Sequence, residues 1–118
     1  MGGTAPRRGA VAEAEDTDVV QGVENLTWLT GRLVTREPDP QRADWDVVLV
    51  RVEKAVPVAG KADILSRHVG EDLAVAFRRE LLAGAGPGAR LTFRARFVPG
   101  GAIAEPYPED GDLLVQPA

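Results

Sequence analysis

Ser66 and His68 are the only serine and the only histidine in a chain of 118 residues, and they stand two positions apart with Asp63 just upstream. A hydroxyl, an imidazole and a carboxylate are the parts of a hydrolytic relay. Such a relay needs the base within hydrogen-bond reach of the nucleophile, a third group to orient it, and an oxyanion hole. The surrounding VPVAGKADILSRHV, residues 56–69, reads as a connection with a single helical turn around Ile64 and Leu65, and nothing in it marks such a hole. The expectation is a loop histidine among polar neighbours, not a catalytic base.

Other chemistries find equally little. With one histidine and no cysteine, a histidine-rich or thiolate-ligated metal centre is excluded, and so is a cysteine nucleophile. Glu71-Asp72 and Glu109-Asp110 are adjacent carboxylates, but calcium takes six to eight oxygens from a spaced loop, and no such spacing occurs. GAGPGA, residues 84–89, formally fits G-x-G-x-x-A. In a dinucleotide-binding unit that run follows a strand and opens a helix, so that the helix N-terminus meets the pyrophosphate. Here it ends a helix and enters a strand, and Gly60-Lys61 lacks both the upstream glycine and the following Ser or Thr of a phosphate loop. Both read as turns. No catalytic residue, metal ligand or cofactor is expected, and the chain reads as a non-enzymatic protein.

The stronger information lies in the β pattern. Residues 26–36 are rich in Thr, Leu, Val and Trp and read as a strand, with Gly31 marking a bulge or bend. Strict alternation puts Leu29, Gly31, Leu33 and Thr35 on one face and Trp28, Thr30, Arg32, Val34 and Arg36 on the other. EPDPQRAD, 37–44, is a proline-broken loop. WDVVLVRVEKA, 45–55, is apolar on both faces and reads as a central strand. A third strand covers 71–77, where Leu73, Val75 and Phe77 alternate with Asp72, Ala74 and Ala76. A short helix of about two turns is expected within 78–88. In GARLTFRARFVPGG, 88–101, Leu91, Phe93, Ala95 and Phe97 form an apolar face opposite Thr92, Arg94 and Arg96. Residues 102–104 continue a hairpin, and 112–116 form a fifth short strand.

This order, with the helix between strands three and four, predicts a mostly β fold: a small five-stranded Greek-key barrel. Gly31 in a long first strand, WDVVLVRVEK, GEDLAVAF, and GPGARLTFRARF after the helix together resemble the oligonucleotide/oligosaccharide-binding fold over residues 26–116. The resemblance rests on topology and spacing. It implies a surface on which a basic groove tracks a nucleic-acid backbone and aromatic rings stack its bases. Phe77, Phe93 and Phe97 fall on core faces, which leaves Trp28, Trp45 and Tyr107 as stacking candidates. Trp28 is preferred because alternation groups it with Arg32 and Arg36. The candidate interface is Trp28, Arg32, Arg36, Arg51, Arg94 and Arg96, with single-stranded DNA or RNA as the implied ligand, bound weakly and in a salt-dependent way.

Composition permits that ligand without requiring it. The formal net charge is −4, and 12 of the 14 basic residues are arginine, a bias that fits a GC-rich bacterial coding sequence. Residues 1–24 carry two basic and five acidic groups and residues 105–118 carry four acidic and no basic groups. The intervening 25–104 carry twelve basic and nine acidic groups. Residues 1–22 are expected to be a disordered acidic leader and 23–118 a single barrel domain. No apolar run approaches the roughly 20 residues of a membrane span, and no apolar segment at the N-terminus resembles a secretory signal. A cytoplasmic location without membrane contact is expected. The small outward positions Ala74, Ala76, Val34 and Val47 or Val48 form a drier strip that permits a second reading, a protein partner or a homo-oligomer.

Overall fold

The computed structural model describes residues 24–118, so the leader expected over 1–22 lies outside the described residues. Six strands occur among the described residues, β1 (Thr27–Pro38), β2 (Trp45–Pro57), β3 (Asp72–Arg78), β4 (Arg90–Val98), β5 (Gly101–Ala104) and β6 (Leu113–Gln116). A 3-10 turn, Leu65–His68, precedes β3, and a single-turn helix α1, Arg79–Leu82, follows it. The sheet runs β1-β2-β3-β5-β4, and β4 pairs back onto β1, which closes a five-stranded barrel. All these pairings are antiparallel except β3 with β5, a parallel contact of two residue pairs, Val75–Ala102 and Ala76–Ile103.

The fifth stave differs from the sequence expectation. It is residues 101–104, whereas 113–116 form a sixth strand that pairs with Arg90–Phe93 of β4. Both lie on the same edge of β4, with the loop 105–112 between them. The Pro99-Gly100 turn, with Gly100 at φ +87, is tight enough to send the chain straight back along β4.

Period-2 alternation places the core as expected. Leu29, Leu33, Val48, Val50, Val52, Leu73, Val75, Phe77, Leu91, Phe93 and Ala95 are buried. Phe77 and Phe93 meet edge to face, with centroids 4.8 Å apart. Phe97, expected in that core, is only half-buried at the strand end, where the Arg67 guanidinium lies 5.8 Å from its ring. On β2, Val48 faces inward and Val47 outward. Leu65 of the 3-10 turn and Leu82 of α1 are both fully buried and plug the barrel interior. The helix is one turn, not two. It stops at Ala83, which has φ 46, ahead of the run Gly84-Ala85-Gly86-Pro87-Gly88. That run instead joins β1, with Gly88 N–H donating to Leu33 O and Leu33 N–H donating to Ala89 O.

Two register shifts interrupt the β1–β2 ladder. Glu53 is skipped opposite Thr30/Gly31, and Val34 is skipped between the pairs Leu33–Val50 and Thr35–Leu49. An extra residue in one strand reverses the facing of everything beyond it. Thr35 therefore lies outward opposite Leu49, and Arg36 turns to the inner side opposite Val48. Strict alternation predicted the reverse for both residues.

Candidate nucleic-acid interface

The outer surface shared by β1 and β4 is built from directly opposed pairs, Trp28–Arg94, Thr30–Thr92 and Arg32–Arg90. The Arg94 guanidinium lies 5.7 Å from the centroid of the half-buried Trp28 ring, a cation–π arrangement. Arg94 is also forked onto Glu105, with Nε donating to Oε1 at 2.8 Å and Nη2 to Oε2 at 2.6 Å, and Asp112 lies 3.2 Å from Nη2. The hydrogen bond to Glu105 holds the guanidinium even more firmly in its charged form than usual, against the opposing effect of burial. Arg96 is exposed and makes no ion pair with any described residue. With Arg94, Lys61, Glu24, Asn25 and Glu105 it borders a hollow of about 390 Å³. The Asn25 side chain fixes one wall, because its carbonyl oxygen accepts from Phe97 N–H at 2.5 Å.

The next row carries like charges. Arg32 stands opposite both Arg51 and Arg90, an arrangement that repels unless carboxylates intervene. The bulged Glu53 supplies one, 3.5 Å from Arg32 and 3.8 Å from Arg90. Asp72 supplies the other, paired with Arg51, whose hydrogen bond holds the Asp72 carboxyl below its ordinary value. Arg32 also donates to Gly88 O at 3.2 Å.

Arg36 stands apart from this surface. Its Nε donates to Asp46 at 2.7 Å, and its Nη1 donates to Ala83 O at 3.0 Å and Ala85 O at 2.7 Å. Arg79 binds the other oxygen of Asp46 at 2.9 Å. Burial alone would raise the Asp46 carboxyl, but hydrogen bonds and charge from the two arginines outweigh it and hold the group below its usual range. Arg36 thus fastens the α1–β4 connection to the barrel. Of the six residues singled out from sequence, the structure brings Trp28, Arg32, Arg94 and Arg96 to the β1–β4 surface, sets Arg51 at its edge on β2, and turns Arg36 away.

Arg90 belongs to this surface and was missed, although its parity with Arg94 was readable in the sequence. A second group of rings and guanidinia lies at the start of β2 and the end of β3. There Trp45 pairs across the strands with Arg78, Arg42 lies 5.8 Å over the Trp45 ring, and Arg78 lies 4.5 Å over that of Tyr107.

Ser66 and His68 bind different partners. Ser66 Oγ donates to Asp63 at 2.6 Å, while His68 Nδ1 lies 3.1 Å from Glu71. Asp63 also accepts from the fully buried Thr27 hydroxyl at 2.8 Å, so it ties the 3-10 turn to β1. The Ser66 bond, ahead of the counter-effect of burial, holds its carboxyl low. No family model matches the chain, and neither a curated protein nor a solved structure matches it.

Proposed function

We propose that the chain is a non-enzymatic binding module of the oligonucleotide/oligosaccharide-binding kind, taking single-stranded nucleic acid weakly and in a salt-dependent manner. The fold part of this reading is supported by the closed β1-β2-β3-β5-β4 Greek-key order. The observation that carries the ligand part is the Trp28–Arg94 pair, a half-buried indole with a fixed guanidinium 5.7 Å from its centroid, beside the exposed Arg96, which has no ion pair among the described residues. A base can stack at the indole while phosphates meet Arg96, Lys61, Arg32 and Arg90. Carboxylates sit among these cations, so the attraction for phosphate is reduced and the affinity is low.

A labelled oligothymidylate titrated across salt concentrations tests this. Binding is expected at low salt and should fall steeply towards physiological ionic strength. Trp28→Ala should weaken it by about 1–3 kcal/mol, and Arg96→Ala should reduce the salt slope by roughly one. Absence of binding at low salt overturns the reading. One observation favours a second reading. Val47, Leu49 and Ala74 make a partly exposed apolar strip on the outer side of β2 and β3, beside a hollow of about 140 Å³ that Val98 and Ile103 also line; Ala76, expected on that strip, is buried. A dimer or hetero-complex on sizing, with no oligonucleotide binding, favours a protein partner at that face.

A further inference from the structure

We infer that the nucleic-acid strand has a second stacking locus on this barrel, formed by Tyr107, Arg78 and Trp45, and that the β5–β6 loop carries the strand from Trp28 to it. This rests on the single-strand reading above and extends it to a path. The path is continuous in the structure. Arg94, beside Trp28, is forked onto Glu105. One residue on, the Pro106 carbonyl accepts from Arg78 Nη1 at 2.7 Å. Tyr107 then lies with the Arg78 guanidinium 4.5 Å from its centroid, and Arg78 stands opposite Trp45, which has Arg42 at 5.8 Å. Each end of the route pairs a ring with a guanidinium, and the Glu105 carboxylate and the Pro106 carbonyl join the two ends.

Packing does not explain Tyr107. It is 78% exposed, the most exposed of the large apolar side chains among the described residues. Pro106 and Pro108 bracket it and Arg78 covers one side, so a ring that buries little area is nevertheless held in place. Restricting the backbone on both sides lowers the entropy lost when a ligand stacks on the open side. Arg78 is fixed in turn by Pro106 O and Glu80. Next to it lies a hollow of about 470 Å³, bordered by Ala43, Asp44, Trp45, Arg78, Arg79 and Glu80. An indole wall with two guanidinia and two carboxylates suits a nucleobase, whose face stacks and whose edge both donates and accepts hydrogen bonds.

The two tryptophans report the two loci separately. Trp45→Phe leaves Trp28 as the only indole, and Trp28→Phe leaves Trp45. Each variant is titrated at low salt with oligothymidylates of about 4 and about 16 nucleotides, the range covered by one such barrel. Both indoles should change fluorescence with the longer strand. The longer strand should bind at least about tenfold more tightly, and Tyr107→Ala should remove roughly five- to tenfold of that affinity, as loss of a stacking ring does. Thermal melting of the Tyr107→Ala variant is expected to stay close to the parent because the ring is exposed. A response from Trp28 alone, with no length advantage, overturns the second locus and leaves the proposed function standing. A response from Trp45 alone keeps this locus and removes the Trp28 site. Silence in both variants overturns both.

Discussion

At Arg36 a guanidinium is held between the carboxylate of Asp46, itself only 5% exposed, and the carbonyls of Ala83 and Ala85. Arg96 carries the same charge and faces solvent with no described partner. Residue type alone does not separate a structural cation from one available to phosphate; the number of fixed acceptors around it does. Arg36→Met should lower unfolding free energy by about 3 kcal/mol in urea denaturation, because it leaves Asp46 buried with one of its two cations and strands the loop carbonyls. Arg36→Lys should recover only part of that loss, since an ammonium cannot reproduce the planar fork. A loss below about 1 kcal/mol for Arg36→Met would mean that Arg79 alone satisfies Asp46.

At the scale of elements, the barrel depends on short connections. Its closure between β3 and β5 is only two residue pairs long. Gly101 begins β5, and a Cβ at that position would collide with the carbonyl oxygen of Ala74 on β3. The approach of two backbones is what requires glycine here, because its φ lies outside the left-handed region. Gly101→Val is expected to cost at least about 2 kcal/mol, with amide exchange accelerating in β3 and β5 before β1 and β2. Uniform acceleration across all strands would show that the closure is not a separate weak point. The Val34 bulge acts at the same scale, since one skipped residue decides which face the last four residues of β1 present.

Over the whole molecule, carboxylates are held in their charged form by many small contacts. Asp46, Asp63 and Asp72 all have lowered values, through paired arginines or hydroxyl donors. A carboxyl depressed in the folded state stabilises the fold fully above its unfolded value, about 3.9 for aspartate, and that contribution is lost as pH falls through the lower folded value. Melting temperature should therefore stay level from neutral pH to about pH 5 and decline below about pH 4. Asp46→Asn should lower the plateau and make the acid decline shallower. An unchanged acid slope in that variant would remove Asp46 from the set that governs acid stability.

The sequence alone determined the mostly β class, the alternating core of β2, β3 and β4, the turn at Pro99-Gly100, and the absence of cysteine chemistry, since these follow from period, turn residues and composition. The inward set Leu91, Phe93 and Ala95 needed no tertiary information. The stave 101–104 was harder to read, because a four-residue segment with three small residues around Ile103 carries little β pattern of its own and pairs only by lying between β3 and β4. Alternation grouped Trp28 with Arg32 on one strand and Arg94 with Arg96 on another, and only the β1–β4 pairing sets Trp28 opposite Arg94 and Arg32 opposite Arg90. The facing of Arg36 was not legible, because parity carries along a strand only while the register is unbroken, and Val34 breaks it. The tertiary structure also decided which arginines are spent on carboxylates. Arg94 and Glu105, Arg51 and Asp72, and Arg79 and Asp46 lie 11 to 33 residues apart. Electrostatic pairing acts through space and leaves no periodic trace along the chain.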